Sequence, residues 1–407
     1  MSNSSHKSRN KKGVSLASLQ YIEKIFGSIV CALLHLPAQL TPKPRNMDPA
    51  GVKKLLIIKF FGIGSLVLAE PLVRTARNLF PNAEIHVLTL SSNAQVMKMV
   101  PGVDRVHLVD LGGNIAQAVL AFLGAMWTAF RGRYTAVLDL EFYTRASAVV
   151  SLASWSPVRV GYHAQGIYRG DIQNFRVPFN AYWHVSQNFL SLLEPWGYDP
   201  SQPPPIPKLA VAGDDLDDTR QVLDALDDPA RYVVINVNAG ELAYERRWFP
   251  ERFAELAAKL TETYGVTCVF IGAPSERDYV ETVVQDAHAQ GAKAYNSAGE
   301  LSLAAMAQVC RNSLLVITND SGPLHVAAAS GATVVGFFGP ETPVLYGPAG
   351  DGHLVFHQKL ACSPCIHIEQ GKRIHCLYPI PKCQEQCTVD DVFECIGREY
   401  GDRLQNA

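Results

Sequence analysis

Residues 314–329 read LLVITNDSGPLHVAAA, and this stretch decides the fold. The apolar run 314–318 predicts a strand buried on both faces, and Ser321-Gly322-Pro323 predicts a helix start directly behind it. A buried strand that runs into a helix is typical of a parallel α/β sheet. The N–H groups of the helix start favour a phosphate, and Asp320 beside them could bind sugar hydroxyls. The alternative is that Asp320 or Ser321 only caps the helix.

The same alternation of strands and helices extends along most of the chain. It begins at the apolar run 55–60 (LLIIKF), stops at the proline-rich stretch 203–207 and starts again at Tyr232. We therefore predict an α/β protein with two Rossmann-like, doubly wound domains that face a cleft. The predicted divisions are a basic tail with an amphipathic helix at 1–50, one domain at 51–210, a second domain at 211–360 and a Cys-rich C-terminal segment at 361–407.

Composition supports two packed cores and excludes some partners. The 407 residues are 48% apolar and 18% charged, and the net charge is −2. A chain of this length is typical of two domains, and its apolar content is too high for general disorder. The near-neutral charge argues against nucleic acid as a partner.

The N-terminus combines a basic tail with an apolar helical pattern. Lys7, Arg9, Lys11 and Lys12 precede apolar residues spaced three or four apart, and Pro37 is predicted to end the helix. A basic tail followed by an amphipathic helix suits contact with an anionic membrane surface. A helix that packs on the body of the protein explains the same pattern, and both interpretations stay open.

Two further strand ends carry residues suited to anions. The turn with Gly62 and Gly64 joins a strand to a helix and allows close approach of a ligand, although a tight structural turn is equally consistent. Arg246 and Arg247 follow the first strand of the second domain, where guanidinium groups suit a diphosphate. A solvated basic pair is the alternative to that interpretation.

A pair of carboxylates marks a strand end of the first domain. Asp139 and Glu141 are two residues apart, so they share a face of the strand. One carboxylate at a cleft could act as a general base. A metal site there is less consistent with the sequence because no companion ligand stands at a fixed spacing.

Six of the nine cysteines lie after position 361, which opens the question of a metal site. Cys362 and Cys365 form a CxxC half-site, and Cys376 and Cys383 follow without a second CxxC. His367 and His375 are further candidate ligands. Reduced thiols or adventitious disulfides are the alternatives.

Several stretches together resemble glycosyltransferase family 9, whose members include the ADP-heptose:lipopolysaccharide heptosyltransferases. The resemblance covers about 54–395. The stretches that carry it are 55–59 (LLIIK), 62–71, 80–81 (FP), 247–253 (RWFPERF), 319–329 (NDSGPLHVAAA), 338–340 (FGP) and 362–365 (CSPC). The resemblance implies a GT-B fold with an acceptor-side first domain and a nucleotide-sugar-binding second domain. It also implies inverting, metal-independent sugar transfer.

The resemblance also implies roles for residues of the second domain. Asp320 matches the residue that contacts donor sugar hydroxyls, and Ser321 and Gly322 match the backbone cradle of the diphosphate. Arg246 matches the basic residue beside the phosphates. Glu276 matches a contact to the nucleotide ribose, and Leu301 lies where adenine is held.

One residue departs from the family pattern. The heptosyltransferases carry an aspartate, proposed as catalytic base, where this chain has Ser65 beside Gly64. Serine has no useful basicity near neutral pH, so it cannot replace a carboxylate. Either Glu141 or Asp139 takes the role, with Glu141 preferred, or the activity is altered or lost. The segment 139–145 with 160–163 is similar to a branch of the family that also has this serine.

The prediction is therefore an inverting glycosyltransferase that moves a heptose-like or other sugar from a nucleotide-sugar, with an ADP-sugar favoured. The acceptor would be lipopolysaccharide or another glycan or lipid-linked molecule. No cofactor is expected to be required, and a structural metal at the C-terminal cysteines stays open. A cytoplasmic location is expected, with peripheral contact to the inner membrane left open. The alternatives are a catalytically silent nucleotide-sugar-binding protein, a nucleotide-sugar 2-epimerase, and a metal-cluster protein.

Overall fold

The computed structural model describes residues 16–44, 47–163, 167–211, 216–240, 244–366, 374 and 376–406. The basic residues 7–12, His367 and His375 lie outside these ranges. The described chain divides into two compact units. The first unit contains 16–61, 79–94 and 103–179, and the second contains 62–78, 95–102 and 180–406, apart from the gaps above.

The first unit contains a six-stranded sheet in which every paired strand runs parallel. Its strands are β1 Lys54–Ile58, β2 Glu84–Leu90, β3 Arg105–Val109, β4 Ala136–Asp139, β5 Val158–His163 and β6 Phe175–Pro178. Their spatial order is β3-β2-β1-β4-β5-β6. The central strands are apolar and buried because helices cover both faces of such a sheet.

The second unit repeats this architecture. Its strands are β7 Tyr232–Asn236, β8 Thr267–Phe270, β9 Ala294–Asn296, β10 Leu315–Asn319, β11 Val334–Phe338 and β12 Leu354–His357. Their order is β12-β11-β10-β7-β8-β9, again parallel. Counted from the first strand, both sheets follow the order 3-2-1-4-5-6 of dinucleotide-binding folds. The predicted fold class, two Rossmann-like α/β halves, is confirmed.

Helices connect the strands of both units. They are α1 Leu16–Gln39, α2 Ile63–Leu68, α3 Glu70–Leu79, α4 Ala94–Met99, α5 Ile115–Arg131, α6 Arg145–Ala153, α7 Val185–Ser191, α8 Leu216–Asp224, α9 Pro250–Tyr264, α10 Arg277–Ala289, α11 Leu303–Asn312, α12 Gly322–Ser330, α13 Pro343–Tyr346, α14 Lys382–Glu385 and α15 Val389–Asn406. In these ranges of the chain, no helix is long and apolar enough to cross a bilayer.

The N-terminal helix differs from its prediction at one end. α1 continues to Gln39, two residues beyond Pro37, which the sequence predicts as its end. A proline removes its own N–H and disturbs the preceding turn, but it does not prevent the next residues from remaining helical. The turn closes when Leu40 N–H donates to the Pro37 carbonyl.

The strand order places the predicted site residues at special positions. In each sheet the chain reverses direction of winding between two central strands, β1 and β4 in the first unit and β7 and β10 in the second. Ligands of such sheets bind beyond the carboxyl ends of these strands. Glu141 follows β4, and Asp320 follows β10 directly. The fold therefore puts both at the edges where chemistry is expected.

The core of the second unit includes the C-terminal helix. Trp248 is fully buried and stacks on Phe337 of β11 with ring centroids 4.4 Å apart. Val392 and Ile396 of α15 belong to the same buried cluster. The segment predicted as a Cys-rich appendage thus contributes apolar side chains to this core.

A histidine pair in the first sheet makes stability depend on pH. His107 Nε2 lies 3.0 Å from His86 Nδ1 and 3.2 Å from the Tyr134 hydroxyl. Burial, and then the nearby charge of His86, lower the pKa of His107 to about 4. Because this pKa lies below the usual value near 6.5, the unfolded chain binds a proton first as pH falls. The stability from neutral His107 is present above about pH 6.5 and is lost progressively below it.

We predict that His107→Gln reduces the loss of stability between pH 7 and pH 5. After allowance for solvent screening, the difference should be about 1 kcal/mol, or about 2–4 °C in Tm. Thermal unfolding of wild type and variant at both pH values measures it. The control is His163→Gln, which removes an exposed histidine of β5. Equal pH sensitivity of wild type and His107→Gln would contradict the assignment.

Candidate functional site

The second unit presents the start of α12 at the carboxyl end of β10. Ser321 is the N-cap residue with an extended backbone, and its side chain makes no capping hydrogen bond. Its Oγ instead accepts a hydrogen bond from Asn236 Nδ2 at 3.0 Å. The backbone N–H groups at this helix start are therefore not satisfied by the N-cap side chain, which suits an anion.

Arg246 lies between two buried carboxylates beside this helix start. Its Nε is 3.5 Å from Asp320 Oδ2, and its Nη2 is 3.9 Å from Glu341 Oε2. Asp320 and Glu341 are 5% and 1% exposed. Both separations exceed a direct hydrogen bond, so the guanidinium keeps donors for a ligand. The structure thus brings together Arg246 and Asp320, and it adds Glu341 from the loop after β11.

A buried amide extends this site and was missed by the sequence reasoning. Asn238, two residues after β7, is 3% exposed, and neither Oδ1 nor Nδ2 has a hydrogen-bond partner among the described residues. Its Nδ2 lies 3.1 Å from the position of a Cβ at Gly272. A buried amide without partners costs stability unless a ligand satisfies it. The sequence signal was its position just past the first strand of the second half.

Glu276 and Leu301 lie in neighbouring loops of the same unit. Gly299 N–H donates to the Gly272 carbonyl at 2.9 Å, which joins the loops that follow β8 and β9. Glu276 accepts a hydrogen bond from Ala273 N–H at 2.8 Å, and so one carboxylate oxygen stabilises its own turn. Leu301 is half-buried two residues beyond Gly299. Gly272, which lies beside Asn238, belongs to the loop after β8, and Glu276 lies four residues further along that loop.

The turn predicted to bind anions packs on α12. An ideal Cβ at Gly64 would lie 2.4 Å from His325 Cδ2, and one at Gly322 would lie 3.5 Å from Ile63 Cβ. The glycines therefore allow α2 to approach the first turn of α12 more closely than other residues would. Ser65, on the same turn of α2, is partly exposed.

In the first unit, Glu141 is held by three donors. Its Oε1 accepts hydrogen bonds from Lys59 Nζ at 2.9 Å and from the N–H groups of Phe60 at 2.8 Å and Phe61 at 3.0 Å. Its Oε2 has no hydrogen-bond partner among the described residues. Glu141 is 0% exposed. A lone lysine at the end of the apolar run LLIIK was the sequence signal for a buried ionic partner.

Asp139 belongs to the same buried network. One of its oxygens accepts from Glu141 N–H at 3.1 Å, and the other accepts from Arg169, Ser147 and Gln173. Burial raises the pKa of Asp139, the positive charge of Arg169 opposes this shift, and the charge of Glu141 adds to it. The sequence placed both carboxylates at a cleft but did not reveal their burial or these partners.

Four C-terminal thiols line one cavity. Cys362, Cys365, Cys376 and Cys383 surround a volume of about 300 Å³. Burial raises the pKa of Cys383 to about 11, so this thiol stays protonated near neutral pH. Across the described ranges, no group of three or more His, Cys, Asp or Glu side chains could hold a metal ion.

The contact between Gly64 and His325 predicts a steric effect. Gly64→Ala should destabilise the protein by about 1–3 kcal/mol, because the new methyl group overlaps the imidazole. The matched control is Gly124→Ala in α5, where a Cβ meets nothing within 4 Å. That change should be neutral or stabilise by up to about 1 kcal/mol. Urea unfolding of both variants measures the difference, and equal stabilities would refute the packing of α2 on α12.

Comparison with known proteins finds related sequences and related solved structures. The lipopolysaccharide core heptosyltransferase OpsX of Haemophilus influenzae is 22% identical over 303 residues, which are 73% of this chain and 82% of that protein. The structure of Escherichia coli ADP-heptose lps heptosyltransferase II matches with a TM-score of 0.68 and 22% identity, over 87% of this chain and 99% of the other. The glycosyl transferase family 9 structure from Veillonella parvula DSM 2008 has a TM-score of 0.69 and 21% identity, over 86% and 97% of the two chains.

The structural matches show that this chain shares its fold with those proteins. A match to the sequence pattern of one family shows to which family the chain belongs. The pattern of glycosyltransferase family 9 (heptosyltransferase) matches residues 123–374, which is more than half of the chain. The matched region includes Glu141, Arg246 and Asp320. The resemblance predicted from the sequence is therefore confirmed: the chain is a glycosyltransferase that belongs to glycosyltransferase family 9.

Proposed function

We propose that this enzyme is an inverting glycosyltransferase that transfers a heptose-like sugar from an ADP-sugar to lipopolysaccharide or another cell-surface glycan. The observation that carries the proposal is Arg246 between the carboxylates of Asp320 and Glu341, beside the start of α12. A guanidinium and a helix start supply positive charge where a nucleoside diphosphate departs. The names of the related proteins support the sugar, the nucleotide and the acceptor.

Each donor-binding residue has a proposed part in holding the substrate. Asp320 accepts hydrogen bonds from sugar hydroxyls, while Arg246 and the N–H groups of Ser321 and Gly322 bind the diphosphate. Glu276 binds the ribose. Leu301 packs on the adenine, in the loop that adjoins the Glu276 turn.

The proposed reaction is a single displacement at the anomeric carbon. The bond from this carbon to the diphosphate oxygen breaks, and its electron pair leaves with the diphosphate. The acceptor oxygen forms the new bond from the opposite face, and its proton passes to a base. Positive charge from Arg246 and the helix start stabilises the departing diphosphate, so the step needs no metal in this proposal.

We assign the base to Glu141 and a positioning role to Asp139. Ser65 offers no carboxylate, whereas Glu141 Oε2 makes no hydrogen bond in the described chain and can accept a proton. The carboxylate oxygens of Asp139 accept hydrogen bonds from four donors, and one of these donors is the backbone N–H of Glu141. Because Glu141 is fully buried, the acceptor reaches it only after local opening, a step common in transferases with mobile loops.

We further propose a cytoplasmic enzyme with peripheral contact to the inner membrane, where lipid-linked acceptors lie. The division into an acceptor-side domain at 51–210 and a donor-side domain at 211–360 belongs to the same proposal. It is supported by the separate placement of Glu141 and Asp320 in two units.

Arg246→Gln should weaken donor binding. Without the guanidinium charge, the carboxylates of Asp320 and Glu341 repel a diphosphate. The Kd for ADP should therefore rise about 10- to 100-fold. The matched control is Arg247→Gln, because Arg247 stacks on Tyr244 and Tyr279 at 4.8 and 4.9 Å instead.

Titration calorimetry with ADP, GDP, UDP and dTDP on all three proteins measures both affinity and nucleotide preference. We expect wild type to bind ADP most tightly and Arg247→Gln to match it within about threefold. Equal losses in the two variants would contradict the assigned role of Arg246, and preference for another nucleotide would overturn the ADP assignment.

Glu141→Gln should reduce kcat for heptose transfer by about 10²- to 10⁴-fold, because the amide cannot accept the acceptor proton. ADP affinity should stay unchanged. This variant also leaves Lys59 buried without its ionic partner, which destabilises the fold by about 3–5 kcal/mol.

The double variant Lys59→Met/Glu141→Gln separates the two effects. It removes both charges, so it should recover Tm but not turnover. Turnover of the double variant close to that of wild type would exclude Glu141 as the base. Wild-type binding of ADP-heptose with no transfer to any heptose-deficient lipopolysaccharide would instead support the catalytically silent alternative.

A further inference from the structure

The first unit exposes an unusual amount of apolar side chain on two helices. In the described ranges, 22 large apolar residues are exposed, and 12 of them lie on or next to α1 and α5. We call these 12 residues the two-helix face. They are Phe26, Ile29, Val30, Leu33, Leu36, Leu40, Ile115, Val119, Leu120, Leu123, Trp127 and Phe130. Clusters of this kind on a protein surface mark interaction sites.

Each helix buries one apolar stripe and exposes another. On α1, Cys31 and Ala38 are buried, whereas Phe26 and Leu33 are 62% and 71% exposed. A helix that packs only on its own protein needs one apolar stripe, and the second stripe indicates another contact. The inner stripe of α1 satisfies the interpretation that the helix packs on the body, so the outer stripe needs a separate explanation.

The two helices flank one cluster, so their outer faces belong to the same region of the first unit. Cys31 and Ala38 of α1 pack with Ala148 and Leu152 of α6, and the α5 residues Phe122 and Met126 pack against this cluster. α5 also buries one stripe and exposes another, because Ala118, Ala125 and Ala129 are buried on the side opposite its exposed residues.

The charges around the two-helix face favour an anionic lipid surface as its partner. No Asp, Glu, Lys or Arg occurs in 26–40 or in 115–130. Basic residues stand instead at the C-terminal end of α5, where Arg131 is the last helical residue and Arg133 lies two positions further on. The sequence also has four basic residues at 7–12, N-terminal to α1. An apolar face with a basic margin matches the acyl region and the anionic headgroups of a bilayer.

The aromatic residues of α5 fit the same partner. Trp127 and Phe130 are 58% and 51% exposed, and their ring centroids are 5.8 Å apart. The Arg131 guanidinium lies 5.5 Å from the Trp127 ring centroid. Aromatic rings next to a cation are typical of residues at the headgroup level of membranes.

We propose that the two-helix face, with Arg131 and Arg133 at its margin, docks the first unit on anionic bilayers. This proposal deepens the proposed inner-membrane contact and rests on it, but it does not depend on the transfer reaction. The apolar side chains of α1 and α5 enter the interface, and the basic margin selects anionic headgroups. α5 is required for docking because its stripe supplies half of the apolar residues.

Co-sedimentation with vesicles tests the proposal in the full-length protein without donor or acceptor. Wild type should bind vesicles that contain phosphatidylglycerol at least about tenfold more strongly than pure phosphatidylcholine vesicles. Leu33→Ser/Leu123→Ser/Trp127→Ser should lower binding by about tenfold or more. Replacing Arg131 and Arg133 with Gln should lower the preference for anionic lipid.

The matched control is Tyr182→Ser, which removes an apolar aromatic residue that is 88% exposed on the second unit. It should bind vesicles like wild type. Transfer to a delipidated acceptor, measured separately, reports on the proposed function and should be unchanged in the triple variant. Wild type that ignores anionic vesicles, or a triple variant that binds like wild type, would overturn the proposal. A wild-type dimer that the triple variant dissociates would assign the face to a second copy and also overturn it.

Discussion

The buried carboxylate of Glu141 is the interaction on which the first unit depends. It accepts hydrogen bonds from Lys59 and from two consecutive backbone N–H groups directly after β1. Since Glu141 itself follows β4, this contact joins the ends of the two central strands where the winding of the sheet reverses. A charge so fully removed from water is tolerated only because an ion and oriented dipoles compensate it. Because Oε1 accepts all three of these hydrogen bonds, any chemistry of Glu141 must use Oε2.

In the second unit, an amide side chain joins the end of a central strand to the neighbouring loop. Asn319, the last residue of β10, accepts from Trp248 N–H at 2.8 Å and donates to the Val237 carbonyl at 3.1 Å. These bonds fix the end of the loop that carries Arg246. Gln384 of α14 donates to the Arg246 carbonyl at 3.1 Å, and so the C-terminal segment also positions this loop. Arg246 is therefore held through its backbone while its guanidinium faces the carboxylates.

Among the C-terminal cysteines, Cys387 contributes to the core of the second unit. Cys387 belongs to the core cluster, and its carbonyl accepts from the Trp248 indole N–H at 2.8 Å. Burial raises the pKa of Cys387 to about 12, so the thiol stays neutral and packs as a small apolar group. The segment stabilises the second unit through such contacts.

The sequence alone determined the repeated strand–helix pattern, because burial on both faces of a parallel sheet demands continuous apolar runs such as 55–60 and 314–318. It also predicts Asp320 and Ser321 as candidate site residues from one local motif, and Arg246 from its place in the loop after the first strand of the second domain. Only the tertiary structure showed that Glu341 lies beside Arg246 and that the Asn238 amide is buried without a hydrogen-bond partner among the described residues, because neither residue carries a periodic signal. It alone decided that Glu141 is buried against Lys59, and that α1 and α5 expose second apolar stripes. Burial and exposure depend on which elements pack together, and one-dimensional patterns do not specify that.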